Sequence, residues 1–279
     1  MAGGATQQSA ASGAPQRPMT LLKDELLTGA DDPAGLRQLI QLADQVVRTW
    51  QPAWSPFLDA RLQEEALARF NNLSEISWHR DGGYPGAERC RFLCHRRDHI
   101  EDADMSAPIR GILIEGNFLF DPLSPDDIRN ALHDLGTAPD QIGDLWVRGD
   151  RGGQGLCTPE SAARLHEQQG RVRDVDIRIE ALPVEVLHLP AQRIPRILQT
   201  VEASCRIDAI ASAGFGLSRA KIVGHIKAGR LRMNWHDVRQ SSREVGVGDR
   251  LQLQDRGALE VLSLTRTKRE RWRVELRRS

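Results

Sequence analysis

The chain has 279 residues, 40% of them apolar and 27% charged, with Lys+Arg and Asp+Glu balanced at 38 each. That length accommodates two or three compact domains, and no run approaches the ~20 apolar residues of a membrane span. Four scattered cysteines, Cys90, Cys94, Cys157 and Cys205, exclude a small disulfide scaffold and point to a reduced, cytoplasmic setting.

The zero net charge conceals an asymmetry. Residues 204–279 hold 17 Lys+Arg and 8 Asp+Glu, whereas residues 1–203 hold 21 and 30. A basic C-terminal domain on an acidic body points to a polyanionic partner for that domain.

In chain order, residues 1–19 are small and polar and read as a disordered tail. Residues 20–81 read as a helical N-terminal unit. Asp31-Asp32-Pro33 is a helix start, followed by Leu36, Leu39, Ile40, Ala43 and Val46 at helical spacing. Pro52 and Pro56 break the pattern, and Leu58, Leu62, Ala66 and Phe70 form the next apolar face.

Residues 82–190 read as an α+β middle domain. Cys90–Cys94 and Ile109–Glu115 alternate as strands. Ser124-Pro125-Asp126-Asp127 opens a helix, Asp144–Arg148 is a strand, Thr158-Pro159-Glu160 opens a second helix ended by Gly170, and Val175–Leu182 is a last strand. This order fits a ferredoxin-like or RRM-like sandwich, without the strand-borne aromatic pair by which RRM domains stack bases. The four glycines between Gly149 and Gly155 fit neither a Rossmann turn nor a P-loop and read as a hairpin turn.

Residues 191–203 read as a linker, and 204–279 as a basic domain. Arg206–Ala213 predicts a helix ended by Gly214 and Gly216. Ser218 caps a second helix, Arg219–Ala228, closed by Gly229. Leu231, Met233 and Trp235 then alternate with Arg230, Arg232 and Asn234 as a strand. Gly248-Asp249 turns into the strand 250–254, and a final hairpin joins Leu259–Leu264 to Trp272–Leu276 around Lys268 and Arg269. Cations at a helix start, on the adjoining strand and on a loop suit the phosphates of structured RNA.

Cys90, Cys94, His95 and His99 do not have zinc-site spacing, and no nucleophile elbow surrounds Ser161, His166 or His188. The reading is therefore a non-catalytic protein without metal or cofactor.

The ordered series Arg206-Ile207-Asp208, Gly216-Leu217-Ser218-Arg219-Ala220-Lys221, Ile226 to Asn234 and Gly248-Asp249 resembles the S4 (alpha-L-type) RNA-binding domain. With Gly82-Gly83-Tyr84-Pro85-Gly86-Ala87-Glu88-Arg89, Ile142-Gly143-Asp144 and Thr265–Arg269, nearly the whole folded chain resembles the YlmH-type S4 proteins, in the cyanobacterial form labelled "photosystem II S4 domain protein". The resemblance implies RNA contacts at Arg206, Ser218, Arg219, Lys221, Lys227, Arg232 and Asn234, to which the basic pattern adds Arg230, Lys268 and Arg269. It makes Tyr84, Glu88 and Arg89 a candidate functional surface. It implies structured RNA as partner (rRNA, with tRNA second), a ribosomal subunit, no membrane, and a monomer. Three departures stand out: Asn234-Trp235 in place of the usual Asn-Gly, the acid Asp255, and Glu270 within the final basic run. Competing readings are an RNA-modifying enzyme of pseudouridine-synthase type and a ribosome-associated protein adaptor.

Overall fold

The computed structural model describes residues 23–70, 73–98, 105–191, 194–253 and 256–279. The expected tail (1–19), the first residues of the helical unit, His99 and Asp255 lie outside them. Two compact units meet at Pro190 and Ala191. Among the described residues no helix is long and apolar enough to cross a membrane.

The first unit begins with α1 (Lys23–Leu27), α2 (Pro33–Thr49), β1 (Ala53–Trp54), α3 (Ala60–Phe70), β2 (Ile76–Asp81) and β3 (Arg91–Arg96). The Asp32 side chain accepts from the Gly35 amide and Pro33 opens α2, a donor-poor start that proline tolerates. Arg69 of α3 donates to the carbonyls of Leu26, Thr28 and Gly29, satisfying the end of α1. Leu36, Leu39 and Ile40 pack against Leu62, Ala66, Phe70 and Phe92. The strands form a sheet ordered β1-β3-β2. The expected boundary between 81 and 82 therefore falls inside the β2–β3 hairpin, and β3 belongs with the N-terminal helices. Cross-strand pairing from Ile76↔Arg96 to Asp81↔Arg91 outweighs the local helical signal.

The same unit continues with β4 (Arg110–Glu115), α4 (Pro125–Asp134), β5 (Ile142–Val147), β6 (Gly152–Cys157), α5 (Pro159–Leu165), β7 (Gln169–Val172) and β8 (Val175–Leu182). Its sheet runs β5-β6-β4-β8-β7 with every neighbour antiparallel. A βαββαβ chain in this order is the expected ferredoxin-like arrangement, with β7 added at one edge. Ser124 and Asp127 form a reciprocal capping box on α4, and α5 stops at Leu165 instead of running to Gly170. The glycine-rich stretch read as a hairpin turn is mostly β6, a central strand whose six residues are all buried; only Gly149–Arg151 turns. A Cβ on Gly153 would lie 2.4 Å from Ile128 Cδ1, and one on Gly155 2.3 Å from Leu145 Cδ2. Glycine here lets α4 and a β5 side chain press onto the backbone.

The second unit contains β9 (Arg196–Glu202), α6 (Ile207–Phe215), α7 (Arg219–Lys227), β10 (Leu231–Met233), β11 (His236–Asp237), β12 (Arg250–Leu253), β13 (Gly257–Arg266) and β14 (Trp272–Arg278). The sheet is ordered β11-β10-β12-β13-β14-β9. Residues 191–203, expected as a linker, thus supply an edge strand, paired with β14 from Trp272↔Glu202 to Arg278↔Arg196. Its alternation places Leu198 against the core while Ile197 and Val201 stay exposed. Both helices cover one face of the sheet, where Ile207, Ile210, Phe215, Ile222 and Ile226 meet Leu231, Met233, Leu251, Leu259, Val274 and Leu276.

Candidate nucleic-acid interface

In the second unit, Gly216 in the left-handed conformation ends α6, and Ser218 caps α7 by accepting from the Lys221 amide at 3.3 Å. The α7 N-terminus therefore presents amides and the side chains of Arg219 and Lys221 to solvent, an anion-attracting end by dipole and charge together. Arg219 lies 3.6 Å from Glu202 of β9. Glu202 is the cross-strand partner of Trp272, and Trp272 that of Arg266, whose guanidinium sits 5.8 Å from the indole centroid. Lys268 and Arg269 are exposed in the turn just beyond. Register thus brings Arg219, Arg266, Lys268 and Arg269 to one end of the sheet, although about 40 residues separate α7 from that turn in sequence.

Arg230, Arg232 and Asn234 form a second group on and around β10, three strands from β14 and at the other end of β13, since Arg232 is in register with Gln252 and through it with Ala258, eight residues from Arg266. Lys221 and Lys227 are exposed near the start and at the end of α7, which leads into β10. Arg232 pairs with Asp237 at 3.4 Å, an exposed contact of small net energy that leaves the guanidinium available. The uncovered sheet face mixes signs, with Arg277 3.4 Å from Glu260. Cationic character is concentrated on the helix ends and the rim.

Two sequence-predicted contacts have internal duties. Arg206 donates twice to Asp208, at 3.1 Å each, neutralising a carboxylate only 6% exposed; an unpaired buried charge there is costly. Asn234 donates to Asp249 and accepts from the Arg250 amide, both at 2.8 Å, so its amide pins the β10–β11 turn to the start of β12. Arg266, Trp272, Trp235 and Arg250 were not among the expected site residues. Strand register brings Arg266, Trp272 and Arg250 to the site, with a basic–aromatic alternation around Trp272 as a local signal, while Trp235 is the neighbour of the expected Asn234 in sequence.

In the first unit, Asp144 of β5 gathers the second motif. Its Oδ2 accepts from the Tyr84 hydroxyl at 2.7 Å and the Glu88 amide at 2.8 Å, and its Oδ1 from the Arg89 amide at 2.9 Å. The Arg89 guanidinium donates to the carbonyls of Ile142, Phe57 and Pro139. Burial, then the charge of Arg129, draws Arg89 below the ordinary arginine value. Burial, then the Asp144 charge, holds the Tyr84 phenol well above its ordinary value. Tyr84 and Arg89 are thus committed to joining the β2–β3 loop to β5, leaving Glu88 as the outward side chain of the trio.

The sheet face that an RRM-type module would offer to RNA is covered. Phe57, Tyr84, Ile109 and Leu187 pack with Trp146, Leu156 and Leu182, and buried Gln154 accepts from the His188 amide. Among the described residues no cluster of three His, Cys, Asp or Glu is arranged to hold a metal. Burial pushes the Cys90 thiol up to about 11 and those of Cys94 and Cys157 up to about 12. Iodoacetamide at about pH 8 is therefore expected to leave Cys94 and Cys157 unmodified in the folded protein and to label them on unfolding; labelling of both at the unfolded rate would contradict their placement.

Comparison with known proteins adds three findings. Residues 31–99 match the family model "YlmH, N-terminal", a span that takes in α2, α3 and all three strands of the first sheet. The chain is 22% identical over 249 residues to the ribosome-associated protein quality control protein P2 of Bacillus subtilis, covering 89% of this chain and 95% of the relative. A solved structure, the cell division protein ylmH from Streptococcus pneumoniae, aligns at 16% identity with a TM-score of 0.45, covering 56% of this chain and 94% of that one.

Proposed function

The chain is a YlmH-type protein, and on that premise we propose that it is a non-catalytic, ribosome-associated RNA-binding protein whose C-terminal unit is an S4-type module for structured RNA. The observation that carries the reading is the convergence of the α7 N-terminus with the β13–β14 turn, which sets Arg219, Lys221, Arg266, Lys268 and Arg269 at one end of a unit bearing 19 Lys+Arg against 9 Asp+Glu. Helix N-terminal amides and mobile cations neutralise phosphates without reading sequence. Such contacts suit the backbone of an RNA helix, whose deep groove side chains do not enter. In this reading Arg219, Lys221, Lys227, Arg230, Arg232, Lys268 and Arg269 contact phosphate, Ser218 shapes the helix end, and Arg206 and Asn234 act by holding the scaffold. Ribosomal RNA is the primary partner and tRNA the second. The name of the Bacillus relative supports the ribosome as the setting.

Co-sedimentation with purified ribosomal subunits across a salt series tests this. Wild type is expected to bind one subunit with affinity falling as salt rises. Arg219→Ala/Lys221→Ala is expected to bind about 10- to 100-fold more weakly, with the salt slope reduced by ~0.7–0.9 per lost contact. An unchanged slope in the double variant would remove the α7 end from the interface; absence of low-salt binding to either subunit would remove the ribosome.

A further inference from the structure

The β10–β11 turn carries a residue out of keeping with its backbone. Met233 pairs with His236, leaving Asn234 and Trp235 as a two-residue hairpin loop, with φ of 48° and 67°. Both central positions of such a turn require positive φ, the reason Asn-Gly is favoured there. Asn234 suits its place. Trp235 does not: a bulky side chain in the left-handed region is a strained outlier, and such strain persists only where the surroundings hold it.

The surroundings do hold it. The Asn234 amide accepts and donates a bond to the start of β12, the Asn234 N–H donates to the Arg250 carbonyl at 2.8 Å, and Asp249 also accepts from the Gly246 amide. The turn is thus a rigid mount. On it the Trp235 ring is partly exposed, with the Arg250 guanidinium 4.9 Å from its centroid. Arg230 and Arg232 lie exposed on the adjoining chain, and among the described residues Asp237 and Asp249 are nearby acids, each engaged by a neighbour.

We propose that Trp235 is a stacking platform for one unpaired RNA base, held by the strained turn beside the phosphate-binding cations Arg230 and Arg232. The proposal rests on the RNA-binding reading above and adds a contact that reading lacks. Phosphate contacts alone do not distinguish paired from unpaired RNA, whereas a flat aromatic face beside a guanidinium accepts an unstacked base. It also accounts for Asn234: its amide is consumed in positioning the ring, and the base contact passes to its neighbour.

Trp235→Gly separates strain from function, because glycine is the residue the turn itself prefers. The test measures binding of the full chain to two labelled RNAs, a fully paired duplex and the same duplex with one bulged adenosine. Expected for Trp235→Gly are a thermal midpoint no lower than wild type, affinity for the bulged RNA reduced about 5- to 100-fold, unchanged affinity for the duplex, and an unchanged salt slope. Trp235→Phe is expected to retain most of the bulge preference. Equal bulge affinity in wild type and Trp235→Gly, with normal salt-dependent binding, would overturn the stacking contact and leave the RNA reading intact. So would a variant defective only toward intact ribosomal subunits, which would place Trp235 against protein. Failure of wild type to bind either RNA or a subunit would overturn both.

Discussion

Replacing Asp144 by alanine is expected to destabilise the N-terminal unit by about 3–5 kcal/mol, because three donors, two of them backbone amides, lose a charged acceptor at once. A fall of roughly 10 °C in that unit's thermal midpoint follows from its size, and the affected hydrogens span β5 and the β2–β3 loop. Tyr84→Phe, which removes one of the three donors, should cost about 1–1.5 kcal/mol. The chain contains a single tyrosine, so an absorbance titration reports this site alone. In the folded wild type the phenol stays protonated above its unfolded value of about 10, held first by burial and then by the Asp144 charge. The sign follows: a raised folded pKa contributes stability that is fully present below about pH 10 and lost as pH climbs beyond it. The partial exposure of Tyr84 keeps that contribution modest. In Asp144→Asn, tyrosinate should form at lower pH than in wild type. A titration and melting curve identical to wild type in both Asp144 variants would show that the clasp does not hold the loop.

Gly152→Ala is expected to have an effect of comparable size, about 3–5 kcal/mol, by a different route. Gly152 opens β6 with φ of 122°, a region closed to side chains, and a Cβ there would stand 2.0 Å from the Ile114 carbonyl oxygen. Because the obstruction is backbone of the neighbouring strand, it has no rotamer to yield, and β6 must separate from β4 where Glu115 pairs with Gly152. Circular dichroism and a denaturant melt report the outcome: lost cooperativity in the first unit is expected, and a wild-type melt would contradict the strand placement. Gly149→Ala is the matched control. It also has positive φ, at 64°, but nothing lies near its Cβ, so its cost is limited to the left-handed backbone, ~1–2 kcal/mol.

Much of the chain is legible in its residues. The helices α2, α4 and α7 announce themselves by Asp32, Ser124 and Ser218 at their caps and by apolar spacing behind them. The alternation of Leu231-Arg232-Met233 and of Arg250–Leu253 states both strand and buried face. The opposed charges of the two ends need no coordinates.

Three things do not follow from local sequence, for one physical reason. Local pattern reports which face of a segment is apolar, but not which segment will cover it or which backbone it will press against. Glycine's freedom made β6 look like a turn until α4 and β5 closed upon it. Pro190 and Pro195 made β9 look like a linker, because an edge strand's partner, β14, lies 70 or more residues away. The grouping of the cations is set by register, which places Arg219 with Arg266 through Glu202 and Trp272 while Asn234 turns inward to Asp249. Composition and capping chemistry act over a few residues and are written in the sequence itself. Strand pairing and the close approach of backbones depend on distant residues meeting, so only the folded chain determines them.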